Sequence, residues 1–119
     1  MATVSRIPLS GSTHGRGIKV TGTSTGASVT VHTAAATTTA GLGDEVHVWA
    51  YNSDTQARTL TIEFGGTTSP DDHIKIDVPP LAGAIYVVPG LHLRNSLVVK
   101  AFASAANVVV LYGYVNTVA

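Results

Sequence analysis

The sequence predicts an all-β domain, an antiparallel β-sandwich of jelly-roll-like character with about eight strands. Three observations predict it. Short runs of Val, Ile, Leu, Thr and aromatic residues recur at roughly ten-residue spacing, bounded by Gly, Pro, Asn or Asp. Within most runs apolar and polar residues alternate, the period of a strand with one face on a core. No segment joins an N-cap to an apolar stripe of helical spacing. The one Ala-rich stretch, Ala34–Gly43, is broken by consecutive Thr and by Gly, and reads as a loop crossing between sheets.

In chain order, residues 1–16 form a first segment, in which 2–16 carry Pro, Gly, Ser and Thr with three sizeable apolar residues, Val4, Ile7 and Leu9. The plain reading is a frayed terminus. The sharper one is an extended arm, outside a single sandwich domain at 17–119, that lies on a neighbouring subunit. Arg6, Ile7, Pro8 and Leu9 would be its contact residues. Arg6, His14 and Arg16 make this the most basic part of the chain, yet three such residues are too few for nucleic acid.

Gly17–Thr21 and Ser28–Thr33 follow, joined by Gly, Thr and Ser, and predict a hairpin with Ile18, Val20, Val29 and Val31 inward. The stretch Asp44–Gly66 (DEVHVWAYNSDTQARTLTIEFGG) organises the rest. Its alternating runs Glu45–Tyr51 and Arg58–Phe64 predict an antiparallel hairpin about a polar loop. In the second run Leu60, Ile62 and Phe64 oppose Thr59, Thr61 and Glu63. In the first, Val46, Val48 and Ala50 oppose His47, Trp49 and Tyr51, so both faces could be covered.

His73–Val78 alternates cleanly and stops at Pro79–Pro80. Ala84–Pro89 is a short strand ended by a Pro89–Gly90 turn. Leu97–Phe102 and Asn107–Val115 predict a last hairpin about Ser104–Ala106. Its second strand is apolar on both faces, the pattern of a strand central in a sandwich or covered by another subunit.

Composition narrows function. The 119 residues predict one domain with a modest core. Charged residues are only 12%, and seven Lys plus Arg balance seven Asp plus Glu, so the chain offers no electrostatic footprint for nucleic acid or an anionic membrane. Low charge also leaves little repulsion between copies, which suits an assembly. Cysteine is absent, which excludes disulfides, thiolate metal sites and a Cys nucleophile. No secretory signal or membrane span is visible, so the expectation is a chain made and folded in a cytoplasm.

Chemistry is sparse. The five His (His14, His32, His47, His73, His92) show no metal-ligand spacing; His32 and His47 could meet across strands but lack a third ligand. Asp71, Asp72 and Asp77 lack the dense oxygen ligands of a calcium loop, and Pro70–Asp71–Asp72 is ordinary turn chemistry. Asp44–Glu45 reads as a solvated strand start. Ser10 sits in no nucleophile elbow, and no glycine precedes a helix able to hold phosphate. The expectation is therefore no enzyme, no cofactor and no metal.

What remains is surface. Trp49 and Tyr51 share one strand face, and Tyr112 and Tyr114 share another. Core filling is the plainer reading for Trp49; a partner-binding aromatic patch is the alternative.

The phrases DEVHVWAYN, LTIEFGG with the following PDD, VVPGL, and the VVKAFA and VLYGYVN pair, spanning about residues 17–118, resemble the small head decoration or cement proteins of tailed bacteriophages. The resemblance implies an all-β virion protein, often trimeric, made in the host cytoplasm and seated on the capsid surface where capsomers meet. Its partner would be the major capsid protein, and it would brace the shell against internal DNA pressure without chemistry. Function would then reside in interfaces: the arm with Arg6, Ile7, Pro8 and Leu9, the aromatic pair Trp49 and Tyr51, and the last strand with Leu111, Tyr112 and Tyr114. The competing expectations are a carbohydrate- or receptor-binding module of a phage fibre, for which Trp49, Tyr51 and Asn52 form the nearest thing to a platform, and a tail or neck component.

Overall fold

The computed structural model describes residues 2–119. Nine strands form: β1 (Val4–Pro8), β2 (Ile18–Lys19), β3 (Val29–Thr33), β4 (Gly43–Asn52), β5 (Arg58–Phe64), β6 (His73–Val78), β7 (Ile85–Leu93), β8 (Val98–Ala103) and β9 (Val109–Val118). A single 3₁₀ turn, Thr25–Ala27, is the only helical element among the described residues. The first sheet has the order β1-β9-β4-β7, with β2 also pairing β9; the second has the order β3-β8-β5-β6. All pairs are antiparallel.

The pairing is nested. β5 pairs β6, β4 pairs β7, β3 pairs β8, and β1 and β2 pair β9. The chain is thus one long hairpin with its tip at residues 65–72, rolled so that successive segments fall alternately in the two sheets. That is a jelly roll, and the predicted fold class holds.

The strand periods place the core. Val46, Val48 and Ala50 of β4 and Val109, Leu111 and Val115 of β9 are buried from the first sheet. Val31 of β3, Leu60 and Ile62 of β5, and Val99 and Ala101 of β8 are buried from the second. Two inward faces of mostly β-branched residues meet in this way to form the core of a β-sandwich.

All three predicted hairpins come apart in space. β2 and β3, β4 and β5, and β8 and β9 each lie in different sheets, and β5–β6 is the one hairpin between consecutive strands. Asn52 gives the reason at the central loop. Its buried amide donates to the carbonyls of Gln56 at 2.8 Å and Val78 at 3.0 Å, and its Oδ1 accepts the Asp54 N–H at 2.9 Å. These bonds tie the end of β4 to β6 of the opposite sheet, so the polar loop turns the chain across the sandwich edge rather than back on itself.

Two further expectations change. Pro89–Gly90 is no turn but lies inside β7, where the register against β4 shifts between Val46–Leu91 and His47–Pro89. Gly90 has φ +78, and a Cβ there would come within 2.9 Å of His47 Cε1. The bulge tolerates the proline because β7 is an edge strand.

The second change concerns residues 1–16. Val4–Pro8 is an edge strand on the chain's own β9, from Val4 opposite Val118 to Pro8 opposite Tyr114. Leu9 is buried in the core and Ile7 packs against it. Ser10 and Gly11 then bond across to β3: Ser10 N–H donates to His32 Nδ1, and Gly11 N–H to the Val31 carbonyl. Ile7 and Leu9 therefore face the chain's own interior, while Arg6 and Pro8 remain exposed.

Candidate functional site

The alternation of β4, β7 and β9 sends His47, Trp49, Tyr86 and Tyr114 to the solvent side of the first sheet. Trp49 is consequently no core residue: it is half-buried on the outer face between the buried Val48 and Ala50. Residues directly opposite on one sheet face stand roughly 5 Å apart, and the ring pairs follow this register. His47 lies opposite Tyr114, with ring centroids 4.7 Å apart. Trp49 lies opposite Tyr86, with centroids 4.6 Å apart. Both pairs are within 20° of parallel, so the rings stack face to face. The diagonals, Trp49–Tyr114 at 5.9 Å and His47–Tyr86 at 6.1 Å, close a block of four rings.

Polar groups lock the block. Glu45 Oε1 lies 2.5 Å from His47 Nε2, and Tyr86 Oη lies 2.5 Å from Nδ1. A carboxylate can only accept, so Nε2–H donates to Glu45, and in the neutral ring Nδ1 then accepts the Tyr86 hydroxyl proton. The His47 hydrogen bond, then that of Asn116 Nδ2 at 3.2 Å, holds the Glu45 carboxyl below its ordinary value. Partial desolvation, then Tyr114 and Glu45, pushes the Tyr86 phenol up, which keeps it a donor. Arg6 from β1 caps the far side, its guanidinium carbon 4.8 Å from the Tyr114 ring centre. Such a contact is worth about 0.5–1 kcal/mol at an exposed site.

The predicted contact residues thus divide. Arg6, Trp49 and Tyr114 belong to this block, and Tyr112 and Tyr51 border it on the same face, Tyr112 opposite Trp49 and Tyr51 opposite Val110. Leu9 and Leu111 are core, Ile7 packs on the core, and Pro8 is exposed on β1. Asn52 is buried and takes no part in a platform. Sequence reasoning did not assign His47, Tyr86, Glu45 or Asn116 to a site. The signal for the first and third was present, since Glu45, His47, Trp49 and Tyr51 share one parity; Tyr86 and Asn116 depend on the register of β7 and β9.

Two polar clusters lie elsewhere. His32 and Asp44 are both buried, with Nε2 and Oδ2 2.7 Å apart. The Ser10 N–H occupies His32 Nδ1, so the neutral ring donates from Nε2 to Asp44. Burial pushes the Asp44 carboxyl up, but hydrogen bonds from His32, the Thr117 hydroxyl and the Ala35 N–H outweigh it and hold the carboxyl below its ordinary value. The His32 and Asp44 side chains are both buried, so the cluster fastens β3, the crossing loop and β4. On the second sheet the buried Glu63 carboxylate accepts from the Thr25 hydroxyl of the 3₁₀ turn and lies 3.4 Å from His73 Nε2. That pair holds the β2–β3 connection over β5. His32 and His47 do not meet, and among the described residues no three His, Asp or Glu side chains gather at metal-binding distance.

Comparison of the chain with protein-family models, curated proteins and solved structures gives no match.

Proposed function

We propose that this chain is a non-enzymatic structural protein of a bacteriophage virion, a decoration or cement protein that binds the outer surface of the capsid through the outer face of its first sheet. The observation that carries the reading is the aromatic block. A chain with so few aromatic residues places Trp49, Tyr86, Tyr112 and Tyr114 on one solvent face, with Arg6 beside them, where the core gains nothing from them. Buried aromatic and Arg anchors dominate protein interfaces. The interlocked rings are also rigid before contact, which reduces the ordering cost of binding. Repetition over many equivalent sites on a shell would stabilise the assembled state by mass action.

A glycan-binding module is the second reading, favoured by Glu45 and Asn116 as hydrogen-bonding groups at the rim. A sugar stacks on an open ring face, however, and here the His47–Tyr114 and Trp49–Tyr86 faces are turned on each other.

Cosedimentation with shells assembled from the capsid protein encoded alongside this chain tests the proposal. The wild-type chain is expected to pellet with the shells and raise their melting temperature. The Trp49→Ala/Tyr114→Ala variant is expected to bind at least about tenfold more weakly, the loss of roughly 1.4 kcal/mol. Failure of the wild-type chain to pellet, or equal binding by the variant, sinks the reading. Quenching of Trp49 fluorescence by neutral sugars instead would transfer the site to the glycan module.

A further inference from the structure

A second feature lies on the same sheet face, beyond Tyr112. The loop joining β1 to β2 turns back through His14 at φ +54 and Gly15 at φ +85, closed by a hydrogen bond from Arg16 N–H to the Thr13 carbonyl. Arg16 and Lys19 of β2 both line an open cleft of about 500 Å³ here, whose wall also includes Thr13, Val110 and the Tyr112 ring. Small-ligand sites commonly measure about 300–1,000 Å³.

Three observations give the cavity a ligand preference. Its only charged lining residues are Arg16 and Lys19, both positive, in a chain whose charges balance overall. Neither is neutralised internally: the ion pairs among the described residues are His32–Asp44, His47–Glu45, Arg58–Asp54 and His73–Glu63. The wall is also fixed in place. Gly17 lies so close to β9 that a Cβ would come within 2.6 Å of Val110 Cγ1 and 2.8 Å of Tyr112 Cε1. The Tyr112 ring is 42% exposed, so it presents surface to the cavity rather than to the core.

We propose that this cavity binds a small ring-borne carboxylate, with Arg16 and Lys19 holding the carboxylate and Tyr112 lying against the ring. A guanidinium matches a carboxylate in a two-pronged, charge-assisted hydrogen bond, and the ammonium adds a second charge. Two cations are too few to follow a nucleic-acid backbone but sufficient for one anionic group. The site stands whether or not the shell reading above holds, since it needs no assembly.

Amide chemical shifts of the full chain test it, with glucuronate, benzoate, inorganic phosphate and neutral glucose as probes. The ring acids are expected to give saturable shifts centred on Gly17, Lys19 and Tyr112. Phosphate should bind at least about tenfold more weakly and glucose should leave the spectrum unchanged. Preference for glucuronate would identify an acidic sugar as the source of the carboxylate, and preference for benzoate an aromatic acid; either supports the site. The Arg16→Gln/Lys19→Gln variant, both changes lying at the surface, should keep the wild-type spectrum and lose at least tenfold in affinity, about 1.4 kcal/mol. Absence of saturable shifts with both acids overturns the proposal. So does binding that survives in the variant, that glucose reproduces, or that phosphate equals.

Discussion

Asp44→Ala is expected to be among the most damaging single substitutions in the molecule. It orphans the buried His32 Nε2–H, at a cost of about 1–3 kcal/mol, and also the half-buried Ala35 N–H, at a smaller one. For a domain near this size each kcal/mol lowers the melting temperature by roughly 4 °C or more, so a fall on the order of 10 °C follows. Asp44→Asn keeps an oxygen to accept from His32 and should lose distinctly less. The pH dependence separates charge from shape. The Asp44 carboxyl is depressed in the folded state, so the unfolded chain binds its proton first as pH falls. Its stabilisation is fully present above the ordinary value of 3.8 and is lost as pH drops through that value toward the depressed native one. Urea unfolding between about pH 5 and pH 2 should show a steeper decline for the wild-type chain than for Asp44→Asn. Superimposable acid limbs would remove the ionised carboxylate from the account.

Leu111→Ala and Tyr112→Ala are neighbours in sequence with opposite expected outcomes. Leu111 is fully buried between β2 and β4, and its truncation should cost about 2–5 kcal/mol, the range for a Leu cavity in a packed core. Tyr112 faces solvent and should cost under about 1 kcal/mol. Urea midpoints of the two variants at constant slope give the comparison. Equal losses would mean that the outer face of β9 is packed as tightly as the inner one. The contrast matters for function because Leu111 and Tyr112 both read from sequence as interface residues, and the structure leaves only Tyr112 free to meet a partner.

The division of β4, β5, β6 and β9 into two faces was legible because period-two alternation is a local property, but which face is covered was not: Thr61 and Glu63 of β5, opposite Leu60 and Ile62, are buried as well. Nor was it legible which strand pairs with which. Asn-Ser-Asp-Thr-Gln is turn-forming chemistry in a hairpin and in an arch alike, and what decides is the bond from Asn52 to Val78, a residue on a strand two elements away. The same nonlocality hid the aromatic block. Glu45, His47 and Trp49 share a face in the sequence itself, but whether that face meets core or solvent depends on which sheet β4 joins. Tyr86 comes opposite Trp49 only because the register of β7 shifts twice, at Pro89–Gly90 and again between the Val48–Val88 and Trp49–Tyr86 pairs. Residues 1–16 misled for a different reason. Few apolar residues suggested little burial, yet the pairing of Val4–Pro8 with β9, the packing of Ile7 and the buried Leu9, with the Ser10 and Gly11 hydrogen bonds to β3, seat the segment.

The nested pairing has a kinetic consequence. Bringing β1 to β9 directly would close nearly the whole chain into a loop, whereas each inner pair, once made, shortens the loop that the next must close. Closure entropy grows with the length of free chain, so the favourable order runs outward from the tip at 65–72: β5 with β6, then β4 with β7, β3 with β8, and the terminal strands last. Ile62→Val in β5 is accordingly expected to slow folding, while Val115→Ala in β9 should chiefly hasten unfolding, a division that chevron measurements read directly. The reverse division would mean that the ends meet first. In that outward order the surface that carries Arg6, Tyr114 and the aromatic block is completed only at the final step.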